Sequence, residues 1–433
     1  MSHLTSLRSL LGCCALALGG STLLSAPAAV PARSLDERII LVAPTSDSRE
    51  DREIVRWQDQ VRRAPDQADN YERLGWAYIA AARRTLDAGD YKLAEKTADA
   101  MEARFGPSDQ ADLLRGHVDH NLHRFAEAEQ VARRLVAHRG QAFDYALLSD
   151  ALMEQGMLAE SVAACQRMMA LKPGLEAYSR AANLRWLTGD LPGAIQAMEA
   201  AARAGSPLDA TNTAWTLTRL SAYYLQAGQS QAALRAAEAA AHAVADYPPA
   251  LLARGRALLA LGEIGQAIGP LQRAERLNPL PEYQWWLADA LRASGRSAEA
   301  AGIEARLADR GEASDPRTLA LFLATRRDDA GTAVRLARAE LVNRADVFTQ
   351  DALAWALAAT GDYAQAQSAM QAALASKTRD ARLFLHAGEI ARDRGQAESA
   401  SAYFNAAETC AGTLTPSERA LLESRRHAGA ARS

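Results

Sequence analysis

The stretch YERLGWAY, Tyr71 to Tyr78, places an aromatic residue, a Leu-Gly pair three and four residues on, and a second aromatic three residues after that. Eight residues alone decide nothing, but the framework returns along the chain. Aligned on the turn between two helices, the series runs Arg124-Phe125, Gly156, Gly189-Asp190, Gly228, Gly262, Gly295, Asp328, Gly361-Asp362-Tyr363 and Gly395. Most steps are 33 or 34 residues, with one of 39 between Gly189 and Gly228. Five residues past each glycine a small residue falls in register: Ser161, Ala194, Ala233, Ala267, Ala300, Ala366 and Ala400. Ala128 and Ala333 serve the two units whose turn lacks glycine. Small side chains at that place let two helices approach closely. Pro173 and Pro279 end the third and sixth units, where the second helix has to stop.

Allowing Tyr for Trp, YERLGWAY resembles the opening of the tetratricopeptide repeat, W-x2-L-G-x2-Y. One such helix pair cannot bury its apolar face alone and must stack on a neighbour. About ten pairs fit between Asn70 and Cys410, roughly four-fifths of the chain. The resemblance implies an all-α fold: a right-handed superhelical solenoid with a concave groove. Two units depart from the pattern. The eighth, DPRTLALFLATRRDDAGTAV, has a degenerate turn. The first carries about seven extra residues in AARRTLDAGDYKLAEKTA, expected to lengthen its first helix by roughly two turns.

Both ends of the array read as caps. Ile54, Trp57 and Val61 form a helical stripe within REDREIVRWQDQVRR, so residues 49–65 are expected to be a lone covering helix. Thr415-Pro416-Ser417-Glu418 is a capping box with proline at the first helical position, opening a final helix within residues 413–433. The array itself spans 66–412. Residues 33–48 read as an irregular tether with a strand-like run from Ile39 to Val42.

The first 32 residues have the layout of a secretory signal: Arg8, an apolar run, then small residues, with Ala26/Ala28 or Val30/Ala32 before the cut. The mature chain is expected to begin at Ala29 or Arg33, in the periplasm or outside the cell. Leu10 to Cys13, Leu-Leu-Gly-Cys, also resembles a lipoprotein acylation site, and membrane attachment is expected only if Cys13 is lipidated. Removal of the signal leaves Cys165, read as a small core residue, and Cys410, read as a loop thiol. They lie far apart in an extended array, and no Cys/His grouping has zinc spacing.

Composition agrees with helices, being rich in alanine with only 6% aromatics. A formal charge of −3 is too mild for a nucleic-acid binder, which shows a basic stripe. The stretch GHVDHNLH, Gly116 to His123, holds three of the eight histidines. In the repeat frame Gly116 is the small residue, while His117, His120 and Asn121 occupy groove positions and His123 the turn. At 100° per residue the three rings spread and do not converge. A metal-dependent enzyme would need a third ligand, and Asp150, one unit on, is the candidate. No HExxH, Gly-x-Ser-x-Gly or phosphate-loop motif accompanies it.

The ninth position of successive units reads Trp76, His117, Asp150, Asn183, Ala222, Arg256, Asp289, Phe322, Trp355 and Glu389. In the resembling family this position lines the groove. With His120, Asn121 and Trp186, the polar and aromatic members Trp76, His117, Asp150, Asn183, Arg256, Asp289 and Trp355 are the candidate partner-binding residues. Asn183 stands where some such domains hold a terminal carboxylate, but Ser179 replaces the basic residue that clamp needs. His117 and Asp150 are expected side by side, the carboxylate raising the imidazole pKa so that the face titrates near neutrality. The function expected is a non-enzymatic scaffold of the bacterial envelope binding a protein or peptide, without cofactor, metal or nucleic acid. A lipid-anchored subunit of an outer-membrane assembly or secretion complex is the alternative.

Overall fold

A computed structural model of the chain describes residues 34–430. Among these, regular structure is entirely helical, 23 α-helices and two short 3-10 turns, and no helix is long and apolar enough to cross a membrane. The signal and acylation motifs lie outside the described residues.

The chain begins with a short helix, α1 (Leu35–Ile39), where an irregular tether with a strand-like run was expected. Ser34 and Glu37 form a reciprocal capping box, with Ser34 N–H donating to Glu37 at 2.9 Å and Glu37 N–H to the Ser34 hydroxyl at 3.1 Å. Ile40 is then fully buried. Its carbonyl accepts from the Tyr78 hydroxyl at 2.7 Å and from Gln58 Nε2 at 3.0 Å, and burial pushes the Tyr78 phenol up to about 12. Glu37 is buried beside the Tyr71 hydroxyl and Arg104. Of the run Ile39 to Val42 only Ile39 is helical, and the rest turns away after the capped helix, because period alone cannot type so short an apolar run. The next helix, α2 (Arg49–Arg63), covers the array as expected, with Ile54 and Val61 buried and Trp57 half-buried.

From there the helices come in pairs. The first is α3 (Ala68–Thr85) with α4 (Ala88–Phe105), then α5 (Asp109–Asn121) with α6 (Phe125–His138). Next are α7 (Ala142–Glu154) with α8 (Leu158–Leu171), and α9 (Leu175–Leu187) with α10 (Leu191–Arg203). The middle holds α11 (Ala210–Gln226) with α12 (Ser230–Ala243), and α13 (Pro248–Ala260) with α14 (Ile264–Leu277). Then come α15 (Pro281–Ala293) with α16 (Ser297–Ser314), and α17 (Pro316–Arg326) with α18 (Ala330–Asn343). The last pairs are α19 (Val347–Ala359) with α20 (Tyr363–Leu374), and α21 (Ala381–Asp393) with α22 (Ala397–Glu408). Each helix packs against the next, and α23 (Pro416–Ala430) closes the series. The extra residues of the first pair are shared, α3 and α4 both running to 18 residues, so the insertion does not lengthen the first helix alone.

The repeat frame is physically explicit. Gly156, Gly189, Gly228, Gly262, Gly295, Gly361 and Gly395 all turn with positive φ, and in the units lacking that glycine His123 and Arg327 take the left-handed conformation instead. The register alanines Ala128, Ala194, Ala233, Ala267, Ala300, Ala333 and Ala366 are fully buried or nearly so. Ser161, in the same register, exchanges hydrogen bonds with Ser149 across its pair. At Gly255 an added Cβ would stand 2.5 Å from Leu271 of the partner helix. Gly255→Trp is therefore expected to cost ~3 kcal/mol or more by overpacking and to split a single thermal transition, since coupling in a linear array runs between neighbours. Calorimetry that returns one unshifted transition would place Gly255 elsewhere than at this contact.

The array does not stay open; it coils back on itself. Gly156, in the α7–α8 turn, has φ +77, and a Cβ there would lie 2.5 Å from the Ala345 carbonyl in the α18–α19 loop. Beside it Arg344 pairs with Glu154 at 2.7 Å, both side chains less than a fifth exposed. One unit on, Thr378 Oγ1 donates to the Leu187 carbonyl at 2.7 Å, 191 residues away, and Trp186 Nε1 to the Arg379 carbonyl at 3.0 Å. Gln226 Nε2 then donates to Asp380 at 2.6 Å, and Gly412 packs against the Leu225 carbonyl. Turns of the first half thus rest, rung after rung, on loops between units of the second half.

The end cap is more than a lid on α22. Thr415 N–H donates to Glu418 at 2.9 Å in the expected capping box. From that start α23 lies across the first helices of earlier pairs: Ser417 donates to Asp289, Arg382 pairs with Glu418 at 2.6 Å, and Arg425 pairs with Glu389 at 2.7 Å. Cys410, read as a loop thiol, sits in the turn before it but is buried with Leu414 and Leu422, which pushes its thiol up to about 12.

Candidate functional site

The coil encloses a cavity of about 1570 Å³, lined from Trp76 on α3 to Arg382 on α21, chiefly by the first helix of each pair. Trp76, His117, His120, Asn121, Asp150, Asn183, Trp186 and Arg256 all reach it. Two of the candidate residues do not. Asp289 is buried under Arg326 and Ser417, and Trp355 is buried with its ring stacked 4.2 Å from His386 and its Nε1 donating to Thr325 at 3.0 Å. At Asp289 the cause is the final helix, which docks on α15, whereas Trp355 is covered by the units on either side of its own, through Thr325 of α17 and His386 of α21.

The histidine stretch resolves into packing. His117 is buried with its ring edge-on to Trp76 at 5.1 Å, and its carbonyl accepts from Asn121 Nδ2 at 2.7 Å. His120 stands edge-on to Phe125, and His123 stacks on the same ring at 5.5 Å. The expected His117–Asp150 pair is absent. Asp150 is taken by Arg180 in a bidentate ion pair with a shortest distance of 2.6 Å. Burial first, then the Arg83 and Arg180 guanidiniums, hold the His117 pKa well below its usual value. Burial lowers His120 as well, against the pull of Asp150, and lowers His123 to about 4. The three rings are therefore neutral at neutral pH, and the expected titration of this face does not occur. Among the described residues no three His, Cys, Asp or Glu side chains are placed to hold a metal ion.

Sequence reasoning missed several lining residues. Arg180, Arg219 and Trp286 each lie three residues before a ninth position, one turn back on the same helix face, so the signal was present in the spacing. Trp215, 41% exposed, lines the cavity from the start of α11. Arg317, Arg344, Asp346 and Phe348 come from the second half and reach the cavity only because the array closes.

A family model described as tetratricopeptide repeat matches residues 219–280, 252–316 and 352–414. No curated protein sequence matches. Of the solved structures, a monomeric mutant of IFIT1 with Gppp-AAAA is 13% identical, covering 74% of this chain and 75% of that one with a TM-score of 0.50. Human IFIT1 as a dimer with PPP-AAAA is also 13% identical, covering 74% and 77% with a TM-score of 0.48. A tetratricopeptide repeat protein from Parabacteroides merdae is 18% identical, covering 58% of this chain and 98% of that one with a TM-score of 0.33. At 13% identity the match with a TM-score of 0.50 is a likeness of fold alone.

Proposed function

We propose that the chain, which matches the tetratricopeptide repeat at residues 219–280, 252–316 and 352–414, is a non-enzymatic scaffold of the bacterial cell envelope that holds a protein or peptide partner in its cavity. In this reading the array is a right-handed superhelix of about ten units. The observation that carries it is the cavity: a large space walled chiefly by first-helix side chains, half-exposed Trp215 among them. Charge supports a peptide over a nucleic acid, since the lining holds ten carboxylates against eight arginines, where a phosphate backbone needs a net positive track. The envelope placement rests on the N-terminal sequence alone. Export is tested by N-terminal sequencing and intact mass of the protein recovered from its native host: a start at Ala29 or Arg33 is expected, and a start at Met1 removes it. A diacylated Cys13 would instead establish the lipid-anchored alternative. For the scaffold itself, capture of one stoichiometric partner from envelope extract is expected to weaken in Trp215→Ala with the melting temperature unchanged. Equal capture by wild type and variant would move the binding surface outside the cavity.

A further inference from the structure

The turn glycines share one position in the repeat and one backbone conformation, yet they divide sharply by what they touch. In the first half, a Cβ at Gly156, Gly189 or Gly228 would stand 2.5, 2.9 and 3.9 Å from the carbonyls of Ala345, Lys377 and Thr409, each in a loop that follows a unit of the second half. At Gly262, Gly295, Gly361 and Gly395 a Cβ would meet nothing within 4 Å among the described residues. The topology gives the reason. In a stack of helix pairs the turns within units line one edge and the loops between units line the other. Coiling seats the turn edge of the first half on the loop edge of the second. The loop edge of the first half and the turn edge of the second are left as the two ends of the coil.

The free loop edge carries apolar side chains in the register that makes contact inside the coil. Leu171, eighteen residues before Gly189, holds the place that Lys377 holds before Gly395, and Lys377 is the residue that meets Gly189. Phe143, thirteen residues before Gly156, holds the place that Phe348 holds before Gly361, and the Phe348 ring stacks at 5.4 Å on Trp186, beside the turn seated there. With no turn seated on them, Phe143 is 39% and Leu171 51% exposed, and Phe105, in the register of Leu171 one earlier loop along, is 36% exposed. Charge has the same sense at both places. Inside the coil the loop contributes Arg344 and the turn Glu154. On the free edges Lys172 lies 4.4 Å over the Phe143 ring, while Glu263 and Asp362 directly follow Gly262 and Gly361. The terminal helices cover the ends of the array and not these edges, α2 packing on α3 and α23 on α22 and α15.

We propose that the occupant of these edges is a second copy of the chain, docked head to tail, with the turns from Gly262 to Gly395 of one molecule seated on Phe105, Phe143 and Leu171 of the next. The contact continues between molecules the rungs that each molecule already makes within itself. Its two faces differ, so the contact is heterologous, and each added copy presents a fresh edge for another. The proposal is independent of the peptide-binding reading above, because it concerns the purified chain alone.

The test is sedimentation velocity of the full chain across the micromolar range. The sedimentation coefficient of the wild type is expected to keep rising with concentration past that of a dimer. Phe143→Glu with Leu171→Glu spoils the loop edge, and Glu263→Arg with Gln396→Arg spoils the turn edge, where neither side chain caps its helix. Each double variant alone is expected to remain monomeric. Their equimolar mixture is expected to form a dimer and stop there, since one sound edge survives on each and the two are complementary. Leu171→Ser, a milder change at a half-exposed side chain, is expected to weaken association about fivefold or more and keeps the test open should the glutamates disturb the fold. A wild type that stays monomeric, or one that stops at a dimer, would overturn the proposal. So would a mixture of the two double variants, both helical by circular dichroism, that fails to pair, or an association that Leu171→Ser leaves unchanged.

Discussion

Replacing Arg382 by Met is expected to loosen the final helix by about 3 to 5 kcal/mol and to flatten or reverse the local response of stability to pH. Glu418, at the start of α23, is 3% exposed as a side chain, and its partner Arg382 24%. Burial pushes the Glu418 carboxyl up, but Arg382 and the Thr415 N–H more than offset this and hold it below the ordinary 4.5. A carboxylate whose pKa is depressed by folding contributes stability above its unfolded value and loses it as the pH falls through the folded one. In the wild type, stability from this pair is therefore complete above about pH 5 and drains away below 4.5. Remove the arginine, and burial is opposed only by the Thr415 N–H and His386: the Glu418 pKa rises, and the gain in stability with increasing pH shrinks or reverses. Urea midpoints measured from pH 4 to 7 are expected to rise with pH in the wild type and to rise less, or fall, in Arg382→Met. Parallel curves would mean that the pair does not hold α23 in the groove.

The second large effect is expected at the seam, where Gly156→Ala should open the coil and Gly262→Ala should not. Both glycines turn with positive φ, +77 and +82, so both substitutions carry the same left-handed strain of roughly 1 to 2 kcal/mol. They differ in what the new methyl meets. At Gly262 nothing lies within 4 Å; at Gly156 the Ala345 carbonyl stands 2.5 Å away, and it belongs to backbone that cannot rotate aside. Separation there would also expose Glu154 and Arg344 and weaken the next rung at Trp186 and Thr378. Small-angle scattering is expected to show a larger radius of gyration for Gly156→Ala and an unchanged one for Gly262→Ala, with the former melting lower. Identical scattering in the two variants would show that the rungs do not set the coil.

These two sites mark the boundary between what the chain states locally and what it does not. The repeat frame was legible because it is local: a glycine in the turn and a small residue five positions on are each demanded by contacts within one helix pair, at Gly255 against Leu271 for example. The end caps were legible for the same reason, since the Thr415–Glu418 box closes within four residues, and the overlooked box of Ser34 and Glu37 was there to be read. The candidate groove was legible only in part. The ninth positions followed from helix period, and most of those singled out do reach the cavity, but Asp289 and Trp355 were lost to interior packing.

Nothing within one unit says which carboxylates are already spent. Asp150 is taken by Arg180 of the following unit, and His117 is wrapped by Trp76 of the preceding one, so an imidazole expected to titrate stays neutral. The sequence by itself determined the helices, their pairing and their caps, because those depend on residues a few positions apart. The tertiary structure alone decided that Gly156 meets Ala345, that Thr378 caps Leu187 and that Ser417 lies on Asp289, since these contacts sum small rotations over many stacked units. That accumulated curvature deepens an open groove into a cavity that still opens to solvent and leaves the buried Nε of Arg256 in its wall without an acceptor.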